Sequence, residues 1–149
     1  MRAWAGGPLL VLPGVLDPVA TRVGAWLAAA VAAEARPGEA WLDMGSGTGV
    51  VGLALAEKGA RVTSVDIDPT CVRNTRANAE LRRVALDAVE SDHFTALGDR
   101  RFDAIAYNVP FWPGEAGEGP FDRSFFAGED FRTIRRFAAE ARERSDRVY

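Results

Sequence analysis

Cysteine and histidine are nearly absent from this chain of 149 residues, which has only Cys71 and His93. A lone cysteine excludes an internal disulfide, and a lone histidine leaves almost no material for a zinc site. Long apolar runs are also lacking. The nearest candidate, Gly24 to Ala33, lies between Arg22 and Glu34; at about ten residues it is half of what a bilayer span needs. Only Arg2 precedes the first apolar residues, and no convincing cleavage site follows, so a cytoplasmic protein is expected. Charge of one sign is not in excess either: 18 basic and 21 acidic residues give a net charge of -3. That excludes a strongly basic nucleic-acid footprint while leaving room for a local patch. What is present, 48% hydrophobic and 26% charged residues, describes one globular domain. It excludes a disordered tail and a collagen-like fibre.

Residues 1–16 are rich in Gly and Pro and are expected to form an extended lead-in to a domain spanning 17–149. A helix is predicted from Asp17 to Arg36, with Asp17 as cap, Pro18 in the first turn and Pro37-Gly38 as the stop. Ala40–Met44 reads as a strand, Val50–Lys58 as a helix ended by Gly59, and Arg61–Asp66 as a second strand. Pro69–Leu81 reads as a helix with Arg, Asn and Glu on its outer face, and Ala85–Glu90 as a short strand. Phe102–Tyr107 is the next strand. A long loop follows from Trp112 to Gly128, then a helix from Asp130 to Glu143, and Arg147-Val148-Tyr149 resembles the start of another strand. Strands alternating with helices imply an α/β, doubly wound, mostly parallel sheet.

The first strand ends in Asp43-Met44-Gly45-Ser46-Gly47-Thr48-Gly49. Glycines at a strand–helix turn permit positive φ and close approach of a ligand to the backbone, and the helix start offers free N–H groups. A Walker loop is excluded because no Lys-Ser or Lys-Thr follows. A dinucleotide pattern is mimicked by Gly47 to Gly52, but Asp43 would repel a pyrophosphate and suits a ligand carrying an ammonium group. Asp66 ends the second strand about 20 residues on, where a carboxylate can accept both hydroxyls of a ribose. Ile67 would then lie along an adenine face, and Asp92 could accept from the adenine amino group. Plain turn or capping roles stay open for both aspartates, and Asp68 suits an N-cap before Pro69.

The runs W-L-D-M-G-S-G-T-G, S-V-D-I-D-P, S-D-H-F and N-V-P-F together resemble the class I S-adenosylmethionine-dependent methyltransferases. They are most similar to the small-domain group with an Asn-Pro-Pro-Tyr-type motif, which includes glutamine N5 and adenine N6 methyltransferases. The resemblance covers about residues 9–149. It implies a Rossmann-like fold, with Asp43, Gly45, Gly47 and Gly49 at the methionine part of S-adenosylmethionine, Asp66 at the ribose and Asp92 at the adenine. Ser46, Ile67, His93 and Asn108 are expected beside the same cofactor. It also implies a seven-stranded sheet of which this chain lacks the last strands. A homodimer or an activating partner is therefore expected to cover the exposed sheet edge.

An amide or nucleobase amino nitrogen is a poor nucleophile because its lone pair is delocalised. Accepting hydrogen bonds from both its N–H protons favours the pyramidal geometry of attack. Asn108 offers a side-chain carbonyl for one proton, and Val109 a backbone carbonyl for the other. Pro110 stiffens the loop and Phe111 supplies a stacking face. The family usually has proline at Val109 and often tyrosine at Phe111; a backbone carbonyl and a stacking face survive those changes. The loop from Trp112 to Phe126 is a candidate substrate-facing lid. The arginines from Arg132 to Arg147 alternate with acidic residues, which favours a solvated, salt-bridged face over an RNA contact. The expected activity is N-methylation of a planar amide or amino nitrogen, protein glutamine ahead of an RNA or DNA amino group. A small-molecule methyltransferase, a nicotinamide-dependent oxidoreductase and a non-catalytic cofactor-binding partner subunit are the rivals.

Overall fold

The computed structural model describes residues 2–4, 7–119 and 121–149. Two short strands, β1 (Arg2–Trp4) and β2 (Gly7–Leu9), pair antiparallel where the sequence suggests only an extended lead-in. Helices α1 (Pro18–Thr21) and α2 (Val23–Glu34) follow. They replace the single helix expected from Asp17 to Arg36. Arg22 adopts a left-handed conformation (φ 64°) that ends α1, and its carbonyl accepts the first hydrogen bond of α2. The break seats Gly24 against Pro18 and Val50, where an added Cβ would lie 3.4 Å and 3.5 Å from their side chains.

The main sheet holds β3 (Ala40–Met44), β4 (Arg61–Asp66), β5 (Asp87–Glu90) and β6 (Ala104–Tyr107) in the order β5-β4-β3-β6, all parallel. The strands match the sequence reading except that β5 and β6 each begin two residues later. Helices α3 (Val50–Glu57) and α4 (Pro69–Arg82) make the crossovers, and Asp68 caps α4 through the Thr70 N–H at 2.7 Å. Arg147 to Tyr149 does continue the sheet. It exchanges backbone hydrogen bonds of 2.9–3.0 Å with Ile105 and Tyr107 on the outer side of β6, and Val148 bridges Ile105 in parallel. The long loop contains a helical turn, α5 (Asp122–Phe125), and the last helix, α6, runs Arg132–Ala141.

Two apolar layers hold the sheet. One side packs Trp41, Val62, Ala104 and Ala106 against Ala28, Val31, Val51 and Leu55 of α2 and α3. The other packs Leu42, Val65 and Ile105 against Phe94, Phe102 and Phe137. One correction to the sequence reading matters for the site. Asn74 and Asn78 of α4 are fully buried rather than on the outer face. Asn74 accepts from the Leu12 N–H (2.8 Å) and donates to the Leu10 carbonyl (2.9 Å). Asn78 accepts from the Leu10 N–H (2.7 Å) and donates to the carbonyls of Leu10 and Thr48. The lead-in is thereby fastened to α4 and to the glycine-rich turn by amides whose polar atoms are satisfied without water.

Candidate functional site

Strand order reverses between β3 and β6, and a cavity of about 620 Å³ opens at the carboxyl ends of the strands there. That is where open α/β sheets bind their ligands, and the volume is in the range of small-molecule sites. Asp43, Gly45, Ser46, Gly47, Asp66, Ile67, Asp92, His93, Asn108 and Pro110 all line it. Gly49, Val109 and Phe111 are not among its lining residues. Gly14, Leu16, Pro18 and Thr21 line it too. Sequence reasoning missed these residues of the lead-in and of α1; the lead-in is held in place by Asn74 and Asn78 through Leu10 and Leu12.

The glycines of the turn do different jobs. Gly47 has φ 53° and nothing within 4 Å of where a Cβ would stand, so its Cα faces open space. At Gly45 (φ 65°) a Cβ would meet the Tyr107 ring at 2.8 Å, and at Gly49 (φ 82°) it would meet Thr75 at 2.9 Å. Gly49 therefore needs its missing side chain to pack the turn against α4. Thr75 donates to Ser46 Oγ at 3.0 Å, a tie from α4 to the turn that no motif announces.

Asp43 is buried, and its Oδ2 accepts from the Gly52 N–H and from Ser64 Oγ, each at 3.0 Å. Burial pushes its carboxyl up to about 7, against the lowering effect of those two bonds. Asp66 is also held above the ordinary carboxylate value by burial, although its oxygens accept from Gly47 N–H (2.9 Å) and Asp68 N–H (3.0 Å). Cys71 lies nearby, and burial, then Asp66, push its thiol up. Asp92 accepts from Arg136 of α6 at 2.7 Å, and Arg136 also donates to Glu140 at 2.9 Å. His93 has φ 49°, and its buried Nδ1 lies 3.4 Å from Asp92 Oδ1 without a hydrogen bond among the described residues. Burial, then the Arg136 charge, hold this imidazole below its usual value.

Past β6, Asn108 and Pro110 face the cavity, while Phe111 and Trp112 stand about half exposed and meet edge to face at 6.2 Å. The following loop folds back on itself. Trp112 N–H donates to Phe125 O, Ala127 N–H to Trp112 O, and Gly114 and Gly128 exchange both bonds. Its tip, with Glu115 and Glu118, lines the cavity beside Arg123 and Arg132, and Glu115 pairs with Arg132. Arg136 pairs with Glu140 along the last helix as expected, and further bridges reach across the fold, Arg136 to Asp92 and Arg147 to Glu39.

A family model described as methyltransferase small domain matches residues 20–129. The chain belongs to the methyltransferase small domain family. A relative from Methanocaldococcus jannaschii named for protein N5-glutamine methylation is 36% identical over 97 residues, covering 62% of this chain and 49% of the relative. A tRNA1(Val) (adenine(37)-N6)-methyltransferase from Porphyromonas gingivalis is 31% identical over 111 residues, 68% of this chain and 44% of its own. This methyltransferase small domain thus spans about half the length of the curated relatives it matches. Among solved structures, a 16S rRNA N2 G1207 methyltransferase from Thermus thermophilus, in complex with AdoMet and guanosine, superposes with a TM-score of 0.67. It shows 28% identity over 89% of this chain and 33% of that one. A ribosomal protein L11 methylase from Lactobacillus delbrueckii shares the fold, with a TM-score of 0.62 at 17% identity, over 91% of this chain and 60% of that one.

Proposed function

We propose that this domain is an S-adenosylmethionine-dependent N-methyltransferase acting on a planar amide or amino nitrogen, with protein glutamine the favoured acceptor. The observation that carries the reading is that Asn108 lines the same cavity as Gly47, Asp66 and Asp92. The residues fit the cofactor. The Gly45–Gly47 backbone and Asp43 would hold the methionine end, Asp66 the ribose, and Ile67, Asp92 and His93 the adenine side. When bound, S-adenosylmethionine supplies an electrophilic methyl group on a sulfonium. Asn108 Oδ1 and the Val109 carbonyl accept the two N–H protons of the acceptor and turn its lone pair toward that methyl. Val109 lies outside the cavity lining, so its carbonyl acts at the rim. Phe111, at the surface, stacks on a planar group arriving from outside.

Six carboxylates line the cavity (Asp43, Asp66, Asp68, Asp92, Glu115 and Glu118) against two guanidinium groups, Arg123 and Arg132. That balance favours an uncharged amide over a phosphate-bearing strand. The relatives named for glutamine and for tRNA adenine keep the RNA or DNA amino group as the second reading. None of its described helices is long and apolar enough to cross a membrane. An activating partner would dock at the sheet edge beside exposed Val148.

The test uses methyl-labelled S-adenosylmethionine with cell lysate, split into protease and nuclease digestions, beside Asn108→Ala. Label lost to protease and absent with Asn108→Ala supports glutamine. Label lost to nuclease moves the acceptor to a nucleic acid, and label on small molecules moves it to a metabolite. Cofactor binding with no transfer to any fraction would sink the enzyme reading in favour of a non-catalytic subunit.

A further inference from the structure

One side of α2 has no cover. Gly24, Ala28 and Val31 face the core, joined there by Leu27, Ala32 and Ala35. With 3.6 residues per turn, Val23, Trp26, Ala30 and Ala33 fall on the opposite side. All four are exposed, Trp26 at 83%. Their spacing of three, four and three residues makes an uncharged seam like that of paired helices. Single exposed apolar residues are ordinary, whereas a contiguous stripe marks an interaction surface.

The ends of the helix carry a second observation. Arg22 stands at the N-cap and Glu34 at the last turn, both exposed, and among the described residues neither side chain has a hydrogen bond or ion pair. Each has the wrong sign for its own helix, whose N-terminus is partially positive and C-terminus partially negative. A facing helix of opposite direction would make this arrangement favourable.

We propose that α2 pairs antiparallel with α2 of a second copy of this chain, about a two-fold axis level with Ala28. In that register Trp26 meets Ala30 and Val23 meets Ala33, a large side chain against a small one at every step. Arg22 comes level with Glu34 of the second copy, so each charge lies beside the opposite pole of the facing helix. All three pairings share one midpoint, and a single isologous contact satisfies them together. Parallel pairing would instead set Trp26 on Trp26 and Arg22 on Arg22. A lipid surface is a poorer match, since α2 has no row of cations beside its apolar stripe. The pairing stands apart from the methyl-transfer reading and from the sheet edge at Val148.

Light scattering and sedimentation of the full chain at ~100 µM test it. A dimer is expected, and Trp26→Glu is expected to be monomeric with an unchanged circular dichroism spectrum. Arg22→Glu and Glu34→Arg, each alone, set like charges side by side and weaken the dimer by roughly tenfold. The double variant Arg22→Glu/Glu34→Arg exchanges the two signs and restores it. A monomer at that concentration overturns the proposal and leaves the face to another chain. A dimer indifferent to Trp26→Glu overturns it in favour of another surface, and a double variant no tighter than the singles refutes the register.

Discussion

Asp43 is the residue whose chemistry depends most on its surroundings. Its carboxyl braces the first turn of α3 through Gly52 and the second strand through Ser64, yet burial raises it to about 7. The fold therefore favours the protonated form. The stability this contributes is whole below about pH 4 and is lost as pH climbs through about 7. Asp66, shifted in the same direction, adds to the trend. Thermal melts of the protein without cofactor should fall across that window, and Asp43→Asn, which keeps an acceptor for both donors, should flatten the fall. A bound ammonium group would favour the ionised form, so affinity for S-adenosylhomocysteine should rise with pH up to about 7, as calorimetry would show. Sequence position alone named this residue. Its bracing role was not legible, because Ser64 and Gly52 come to it only through sheet pairing and helix packing.

At the scale of elements, α3 lies on β3 and β4 with no room to spare. A Cβ on Gly52 would stand 2.3 Å from Ser64 Oγ and 3.0 Å from Asp43 Oδ2. Gly52→Ala gains helix propensity of about 1 kcal/mol but overpacks a rigid contact, and should cost about 2–3 kcal/mol net in denaturant unfolding. Adding Ser64→Ala should return part of that, a coupling that a double-mutant cycle would measure. The strands and α3 were readable to within a residue or two, because apolar runs bounded by glycine and proline mark them. The α1–α2 break was not readable, since nothing local requires Arg22 to turn left-handed. The burial of Asn74 and Asn78 was also hidden. Asparagine on a helix reads as a polar face until a strandless segment is brought against it, and Leu10 to Leu12 lie over 60 residues away in sequence.

The whole molecule couples the cavity to global stability, because the lead-in, three strand ends and the loop before α6 all border it. A ligand that binds only the folded form at 100 times its dissociation constant adds about 2.7 kcal/mol. For a domain of this size that corresponds to a rise in Tm of roughly 5–10 °C. S-adenosylhomocysteine should produce it in a thermal-shift measurement, and NAD should produce none. Asn78→Ala should lower Tm of the free protein by unsatisfying Leu10 and Thr48, at a cost of about 2–4 kcal/mol, and should weaken the S-adenosylhomocysteine shift as well. The doubly wound class and the cavity's place at the strand ends were legible as pattern. The folded-back shape of the loop from Trp112 to Gly128 was not, since it rests on backbone bonds between Trp112 and Phe125 or Ala127 that side-chain type does not encode.

The amide clamps on Leu10 and Leu12 have a consequence for solvent exchange. These two N–H groups lie outside any strand, yet each donates to a fully buried side chain of α4. Their deuterium uptake is therefore governed by the opening of α4 and not by fraying of the lead-in. Two backbone positions in an irregular stretch should exchange as slowly as the centre of a helix far from them in sequence, and should lose that protection together when either asparagine is removed.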